Sequence, residues 1–504
     1  MNQSEFHRQP DTPAPTSPHS APHSPANPSV HTPGHTPGHP AVAMPGALPE
    51  GLSGGLPASA SKPEGTSEPA NVSQPGRPPA IPRSPGFDET FNLAREGYGF
   101  LSQRFRSMNT PIFRTRLMLR DVICLAGPDA ARLIYDDDRL TRVGAMPQMV
   151  LRLIAGKGSV QQLDGAAHRH RKAMFVRMLV EDRTGIDRLV AIFRRNFIER
   201  VPDWIRWGAV PLGAELDLIL IRTALAWTHA PIDADEIDRD DALLAELAEQ
   251  AGHFGPRRLP LPLGLLGRRS QLERRLTAAF RQIRRGRQAP LPGTPMAMIA
   301  GYRDQKGLPL SPAVAAGELI NLLGPIASLG RYILFAAVEL ERHGEWREIL
   351  RVPDDRLLTD FAEEVRRCVP FYPFVGAVAR TGFDWNGHPI RRGQWLLFDL
   401  YGTCHDEAAF HNAGEFRPLR ELRHGPGDYS FVAQGAGSVK DGHRCPGEEA
   451  TLSIIKEGVR LLTTAIDYDM PAEQDVSVSL SDMPCRPKDG VVISGVRWQE
   501  MTAG

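Results

Sequence analysis

The chain has 504 residues, and its 59 basic residues balance 59 acidic ones. That neutrality supplies no general pull toward nucleic acid or an anionic membrane. No uninterrupted apolar run of roughly 18 residues stands out, so no membrane span is expected, and the opening MNQSEFHRQPDTPAPTS lacks the basic-then-apolar order of a secretory signal.

The first 85 residues hold 20 of the 45 prolines and six of the 16 histidines. Such a segment buries too little apolar surface to offset its ordering entropy, so 1–85 is predicted to be a disordered Pro-rich tail and 86–504 the folded domain. The repeat HTPGHTPGH within it reads as soluble tail rather than a metal site. Beyond it, ETFNLAREGYGFLSQRF reads as one helix, PIFRTRLML and DVICLAG as short strands, and GPDAARLIYDD as a further helix. Helical patterns dominate to about residue 368. Among them, the basic segment 255–290 reads as a solvated helix face. SPAVAAGELINLLGPIASLGRYILFAAVELERHG reads as one long apolar helix. Its middle holds Gly324 and Pro325, costing about 1 and about 3 kcal/mol in a helix interior, so a break is predicted there.

DDRLLTDFAEEVRRCVPFYPF is predicted helical up to Pro370, with Glu364 and Arg367 three residues apart and able to pair. WNGHP marks a hairpin through Asn-Gly. A last helix is predicted over 449–466, followed by a short strand-rich end. The five cysteines, Cys124, Cys368, Cys404, Cys445 and Cys485, are odd in number and widely spaced. That argues for a reduced, cytoplasmic protein without a disulfide framework.

No GxxxxGKS phosphate loop, GxSxG elbow or HExxH zinc motif is present. The informative stretch is FVAQGAGSVKDGHRCPGEE, where glycines lead to Cys445 at the start of a helix striped by Leu452, Ile455, Val459, Leu462 and Ile466. Free N–H groups and the positive dipole end at a helix start favour thiolate over thiol. A thiolate is a strong, soft ligand for iron. Arg444 beside it could pair with an anion. Three readings compete: a structural cysteine, a zinc site using Cys404, His405, His443 and Cys445, and an axial haem thiolate. The absence of a CxxC pair weakens zinc.

In that stretch Phe431, the three glycines Gly435, Gly437 and Gly442, Arg444 and Cys445 fall in register with the haem-binding loop of the cytochrome P450 superfamily, which the chain resembles from about residue 86 to 500. The resemblance implies a mainly α fold, with a large helical domain, a long central helix over the haem and a small β-rich subdomain. It implies haem b (iron protoporphyrin IX) as cofactor, with Cys445 as the metal ligand and Phe431, Gly437 and Arg444 in the cofactor-binding loop. Glu364 and Arg367 correspond to the superfamily's ExxR pair, which locks the meander near that loop. In QQLDGAAHRHRKAMF, Asp164 can cap a helix. His168 and Lys172 then share one face and correspond to groups that bind the haem propionates.

EVRRCVPFYPF, FDLYGTCHDEAAFHNAGEFRPLR and DMPCRPKDGVVISG narrow the resemblance to the fatty-acid peroxygenases and decarboxylases of the superfamily. That branch uses hydrogen peroxide directly and needs no redox partner. Oxygen-activating members carry a proton-donating acid–alcohol pair where this chain has Gly324 and Pro325. The peroxygenases have Arg-Pro there, the arginine clamping the substrate carboxylate that serves as acid–base. Pro325 fits this pattern and Gly324 does not. Gln161 falls where the branch has glutamine or histidine beside the haem, and Ala155 replaces a bulky aromatic. Arg331, seven residues on, is a poor substitute, being about 10 Å away by helix rise. The expected protein is a monomeric, peroxide-using hydroxylase of a fatty-acid-like or other apolar small molecule, with no nucleic-acid partner. The alternatives are a redox-partner-dependent monooxygenase tailoring a natural product and a non-catalytic haem-binding protein.

Overall fold

A helix with one apolar stripe must bury it against a neighbour, and here the stripes converge on one central helix. The computed structural model describes residues 80–146, 158–232, 263–420, 422 and 428–499, and side chains of the third stretch from residue 271. Nearly all of the predicted Pro-rich tail, Ala155 and the first part of the basic segment 255–290 lie outside the described residues.

The central helix, Pro312–Ser328, begins with two favourable devices. Ser311 caps it by accepting from the Val314 N–H at 3.3 Å, and proline occupies its first turn. It packs against the helices Leu212–Thr228 and Leu263–Arg284. In the latter, Leu272, Leu276 and Phe280 face inward while Arg274, Arg281, Arg285 and Arg287 near its end stay exposed, so the described part of the basic segment is a solvated face. Together with Gly330–Arg342, the central helix is long and apolar enough to cross a membrane. In this protein 89% of its most apolar window is buried, as in a core helix.

The predicted break at Gly324–Pro325 is displaced. The helix runs through Pro325 and is interrupted at Leu329, four residues later. Proline removes one N–H from the ladder, and the turn after it tightens: the Leu329 N–H reaches the Ile326 carbonyl at 3.1 Å, and the Ser328 hydroxyl donates to the Pro325 carbonyl at 2.7 Å. The interruption brings Gly330 against the neighbouring helix. A Cβ there would stand 3.3 Å from Leu216 Cβ and Leu220 Cδ1.

A five-stranded sheet lies beside the helices, in the order β1 (Ile112–Leu117), β2 (Arg120–Leu125), β8 (Trp395–Asp399), β5 (Phe374–Ala379) and β3 (Leu140–Thr141). Only β2 and β8 run parallel. A second sheet orders β4 (Ala209–Pro211), β10 (Val492–Trp498) and β9 (Ile466–Asp469). The Asn-Gly hairpin forms as predicted between β6 (Phe383–Trp385) and β7 (His388–Ile390), with positive φ at both Asn386 and Gly387.

Two predicted helices differ in extent. The first is split into Thr90–Glu96 and Gly99–Met108 because Tyr98 turns inward, its N–H bonding the Leu480 carbonyl at 2.9 Å. The last runs as α-helix over Glu448–Arg460, widens at Leu461–Ala465, and yields Ile466 to β9. The cysteine loop joins two cores. Phe431 and Val432 pack in the cluster holding Ile123, Leu396 and Phe398 of the larger sheet. Beyond Cys445, Ile454, Ile455 and Val459 pack in the helical core.

Candidate active site

The loop is folded back on itself around the cysteine. The Cys445 N–H donates to the Gln434 carbonyl at 3.0 Å. The Gln434 side-chain amide lies 3.7 Å from the Cys445 sulfur and donates to Thr451 Oγ1 at 3.1 Å. Gly437 has φ +73°, and a Cβ there would collide with the Asp136 carboxylate, so only glycine fits.

The helix start does not govern the sulfur. The helix proper begins at Glu448, three residues past Cys445. Burial is the largest influence and pushes the thiol above its ordinary value; the Gly447 backbone, Lys172 and Gln434 oppose this and Glu448 adds to it. The Gly447 N–H at the N-cap of that helix acts in the expected direction, and burial outweighs it. A thiolate here needs a cation at the sulfur, which is how metal binding takes the proton from a cysteine.

Behind the loop stands Arg366, 1% exposed. It donates to Gln434 Oε1 at 3.0 Å and to Glu448 Oε1 at 2.5 Å, and pairs with Glu363. Arg444 donates to the other Glu448 oxygen at 2.7 Å, so this cation is paired within the chain. Phe431 is buried under the Arg366 guanidinium, 5.2 Å from ring centroid to Cζ. The expected Glu364–Arg367 pair forms with both side chains fully buried, at 2.7 and 2.8 Å. Arg367 also donates to the carbonyls of Cys404 and Ala413, each at 2.9 Å, and Glu364 accepts from the Arg417 N–H at 2.9 Å. The pair thereby fixes the segment 404–417.

Helix Gly165–Val176 brings His168 and Lys172 to the same loop, both buried. Asp164 sits at its N-cap position without capping it. Its carboxylate instead accepts from the Thr141 hydroxyl and from the Arg142 N–H, the latter at 3.1 Å. The His168 ring stacks on His443 with centroids 4.0 Å apart. Burial, helped by Lys172, holds His168 down at about 4. Burial, helped by Arg142, holds His443 at about 2. Both rings are neutral at pH 7. Burial also lowers Lys172 to about 8, and its ammonium donates to the Arg444 carbonyl at 2.6 Å and to that of Gly442. A cleft opens next to these groups, its lining mixing His168 and His443 with the cations Arg142, Arg169 and Arg380 and a larger number of aspartates, among them Asp136, Asp164 and Asp441.

Gln161 lies exposed on the short turn Val160–Gln162. Its Oε1 accepts from Asn321 at 3.3 Å, and the same Asn321 amide donates to Glu318 Oε2 at 2.9 Å. Glu318 is fully buried and paired with Arg171 at 2.6 Å. This polar chain reaches the central helix one turn before Gly324. Gly324 is buried, whereas Pro325 is exposed between buried neighbours. The four zinc candidates are not assembled: His405 Nδ1 lies 2.9 Å from the Tyr401 carbonyl oxygen, His443 stacks on His168, and among the described residues no cluster of three or more metal-ligating side chains exists.

Comparison with known proteins decides the family. No family model matches the chain. The structure of cytochrome P450EX alpha with myristic acid is 31% identical, with a TM-score of 0.77, over 84% of this chain and 100% of that one. Cytochrome P450SP alpha in complex with (R)-ibuprophen is 35% identical, with a TM-score of 0.75, over 82% of this chain and 99% of that one. The chain belongs to the cytochrome P450 superfamily. It lies in the fatty-acid peroxygenase branch, to which these neighbours belong. A curated relative, cytochrome P450 120 of Synechocystis, is 22% identical over 445 residues, 82% of this chain and 95% of its own. As a P450 the protein is a haem-thiolate oxidoreductase, and its mainly α fold with small sheets is that of the superfamily.

Sequence reading missed Arg366, Gln434, Asn321, Glu318 and Arg171. The one available signal was a lone acid, Glu318, inside an apolar helix, since a buried carboxylate requires a partner.

Proposed function

We propose that this P450 hydroxylates a fatty-acid-like or other apolar small molecule with hydrogen peroxide as co-substrate, without a redox partner. Haem bound at Cys445 supplies the oxidising chemistry. In the net reaction a substrate C–H becomes C–OH, and peroxide is reduced to water. The residues present suit that group. Cys445 provides a buried sulfur with the Gln434 amide beside it as an outer-shell donor. Gly437 permits the tight loop, Phe431 and Arg444 brace it, and His168 and Lys172, both on the helix against the loop, are the groups that would meet the propionate carboxylates.

The observation that carries the peroxide reading is the pair Gly324–Pro325 on the central helix, with Pro325 exposed among buried neighbours. Neither side chain can hold or pass a proton. Delivery of protons to dioxygen from this position is therefore unsupported, while peroxide brings its own protons and electrons. Gln161, tied to Asn321, would orient groups on the open side of the helix. What this site lacks is an acid–base and a carboxylate clamp at residue 324. A fatty-acid panel assayed with peroxide tests this, using wild type and Gly324→Arg, each with and without a short carboxylic acid. The expected result is weak wild-type turnover that rises on adding the acid or the arginine. Turnover that appears only with a ferredoxin and its reductase contradicts it.

A further inference from the structure

Glu318 is fully buried in the apolar central helix, and a carboxylate in that setting needs partners. Arg171, from the helix Gly165–Val176, donates to its Oε1 at 2.6 Å. The Asn321 amide donates to its Oε2 at 2.9 Å, and the Val160 backbone adds a further hydrogen bond. Burial pushes the carboxyl above its ordinary value, and these partners oppose the rise. Arg171 is followed in the chain by Lys172, whose ammonium donates to the Arg444 carbonyl at 2.6 Å and to that of Gly442. Two consecutive cations on one helix thus tie Glu318 to the cysteine loop.

The charge on Glu318 has a directional consequence. An ionised carboxylate only accepts hydrogen bonds, so Asn321 must turn its NH2 group toward it. The same Nδ2 lies 3.3 Å from Gln161 Oε1, so Gln161 must accept at that contact. With its oxygen spent on Asn321, the end of the Gln161 amide left over is its NH2 group, which has no acceptor among the described residues. Two neutral amides alone would not choose, because turning both over keeps the same hydrogen bond with donor and acceptor exchanged. Asn321 and Pro325 are four residues apart on one face of the central helix. Pro325 and Gln161 are both exposed, so the Asn321–Gln161 pair borders the open side of that helix.

We propose that Glu318 is a positioning residue that sets the polarity of this pair, so that Gln161 presents N–H donors rather than its carbonyl to the open side of the central helix. This rests on the reading of that side as the place where peroxide reacts. Glu318 acts through Asn321 and delivers no proton itself. A donor held in place there suits an oxygen or an anion that gathers negative charge, and needs no reorganisation when it arrives.

The test is spectral titration of the ferric, haem-loaded protein with cyanide, an anion that takes the iron position opposite the thiolate. The variants are Gln161→Leu, Asn321→Ala and Glu318→Gln, with the last two also combined with Gln161→Leu. Gln161→Leu is expected to weaken cyanide binding about tenfold, the contribution of a charge-assisted hydrogen bond. Asn321→Ala keeps the Arg171–Glu318 pair and cuts only its link to Gln161, so it should lose most of the same affinity. Glu318→Gln frees both amides to turn over and should lose part of it. In the Gln161→Leu background neither change should weaken binding further, because both act through Gln161. Wild-type affinity in Gln161→Leu or in Asn321→Ala overturns the proposal, and so do losses that add to that of Gln161→Leu, the mark of a merely structural role. Glu318→Gln strands the buried Arg171, so Asn321→Ala decides alone where that variant does not fold. Peroxide-driven turnover of dodecanoate is measured on the same samples. Its absence from wild type contradicts the proposed function, while the cyanide series still reports on Glu318.

Discussion

At the scale of single residues, the proposed haem ligand is Cys445, and its surroundings decide its state. Cys445→Ala is expected to abolish the thiolate-type absorption of the reduced, CO-bound protein; an unchanged band would refute the ligand assignment. A second prediction concerns His405, whose ring meets the Tyr401 carbonyl and which burial lowers from 6.5 to about 4. Folded, this ring is neutral in that interval; unfolded, it binds a proton. The unfolded state therefore gains protons as pH falls, and stability is lost progressively between pH 6.5 and about 4. Urea midpoints at pH 7 and 5 should fall less for His405→Gln than for wild type, and equal falls would contradict the assignment. The Glu364–Arg367 pair was legible because its spacing is local. Arg366 was not, since its Gln434 and Glu448 partners lie 68 and 82 residues away.

At the scale of elements, the helix Asp355–Cys368 is the clamp that holds the loop and the meander. Arg367→Ala removes the bidentate partner of the fully buried Glu364 and leaves it only Arg420 at 3.4 Å and the Arg417 N–H, which costs roughly 3 kcal/mol. Thermal unfolding should show that loss. The double replacement Glu364→Gln with Arg367→Met should not restore stability, because the Cys404 and Ala413 carbonyls lose their donor as well. A near-native double variant would mean the pair acts alone. The central helix shows the limit of propensity as a guide. Gly324 and Pro325 mark the right region, but packing against Leu212–Thr228 moves the interruption to Leu329 and brings Gly330 into the contact.

At the scale of the whole molecule, helix periodicity, the Asn-Gly hairpin and the strand pair β1–β2 could be read from the chain. The parallel pairing of β2 with β8 could not, because it joins segments some 270 residues apart that carry no local mark of each other. The same holds for the chain Gln161–Asn321–Glu318–Arg171, assembled from two helices and a turn. The cysteine loop itself joins the two cores, with Phe431 and Val432 packed in one and Ile454, Ile455 and Val459 just beyond it in the other. The central claim is that peroxide, not dioxygen, delivers the oxygen atom. The most direct measurement is mass spectrometry of hydroxylated fatty acid formed with isotopically labelled hydrogen peroxide, in the absence of any reductase. Label in the new hydroxyl group is the predicted result. Unlabelled product, formed only when a reductase and dioxygen are supplied, would contradict the account.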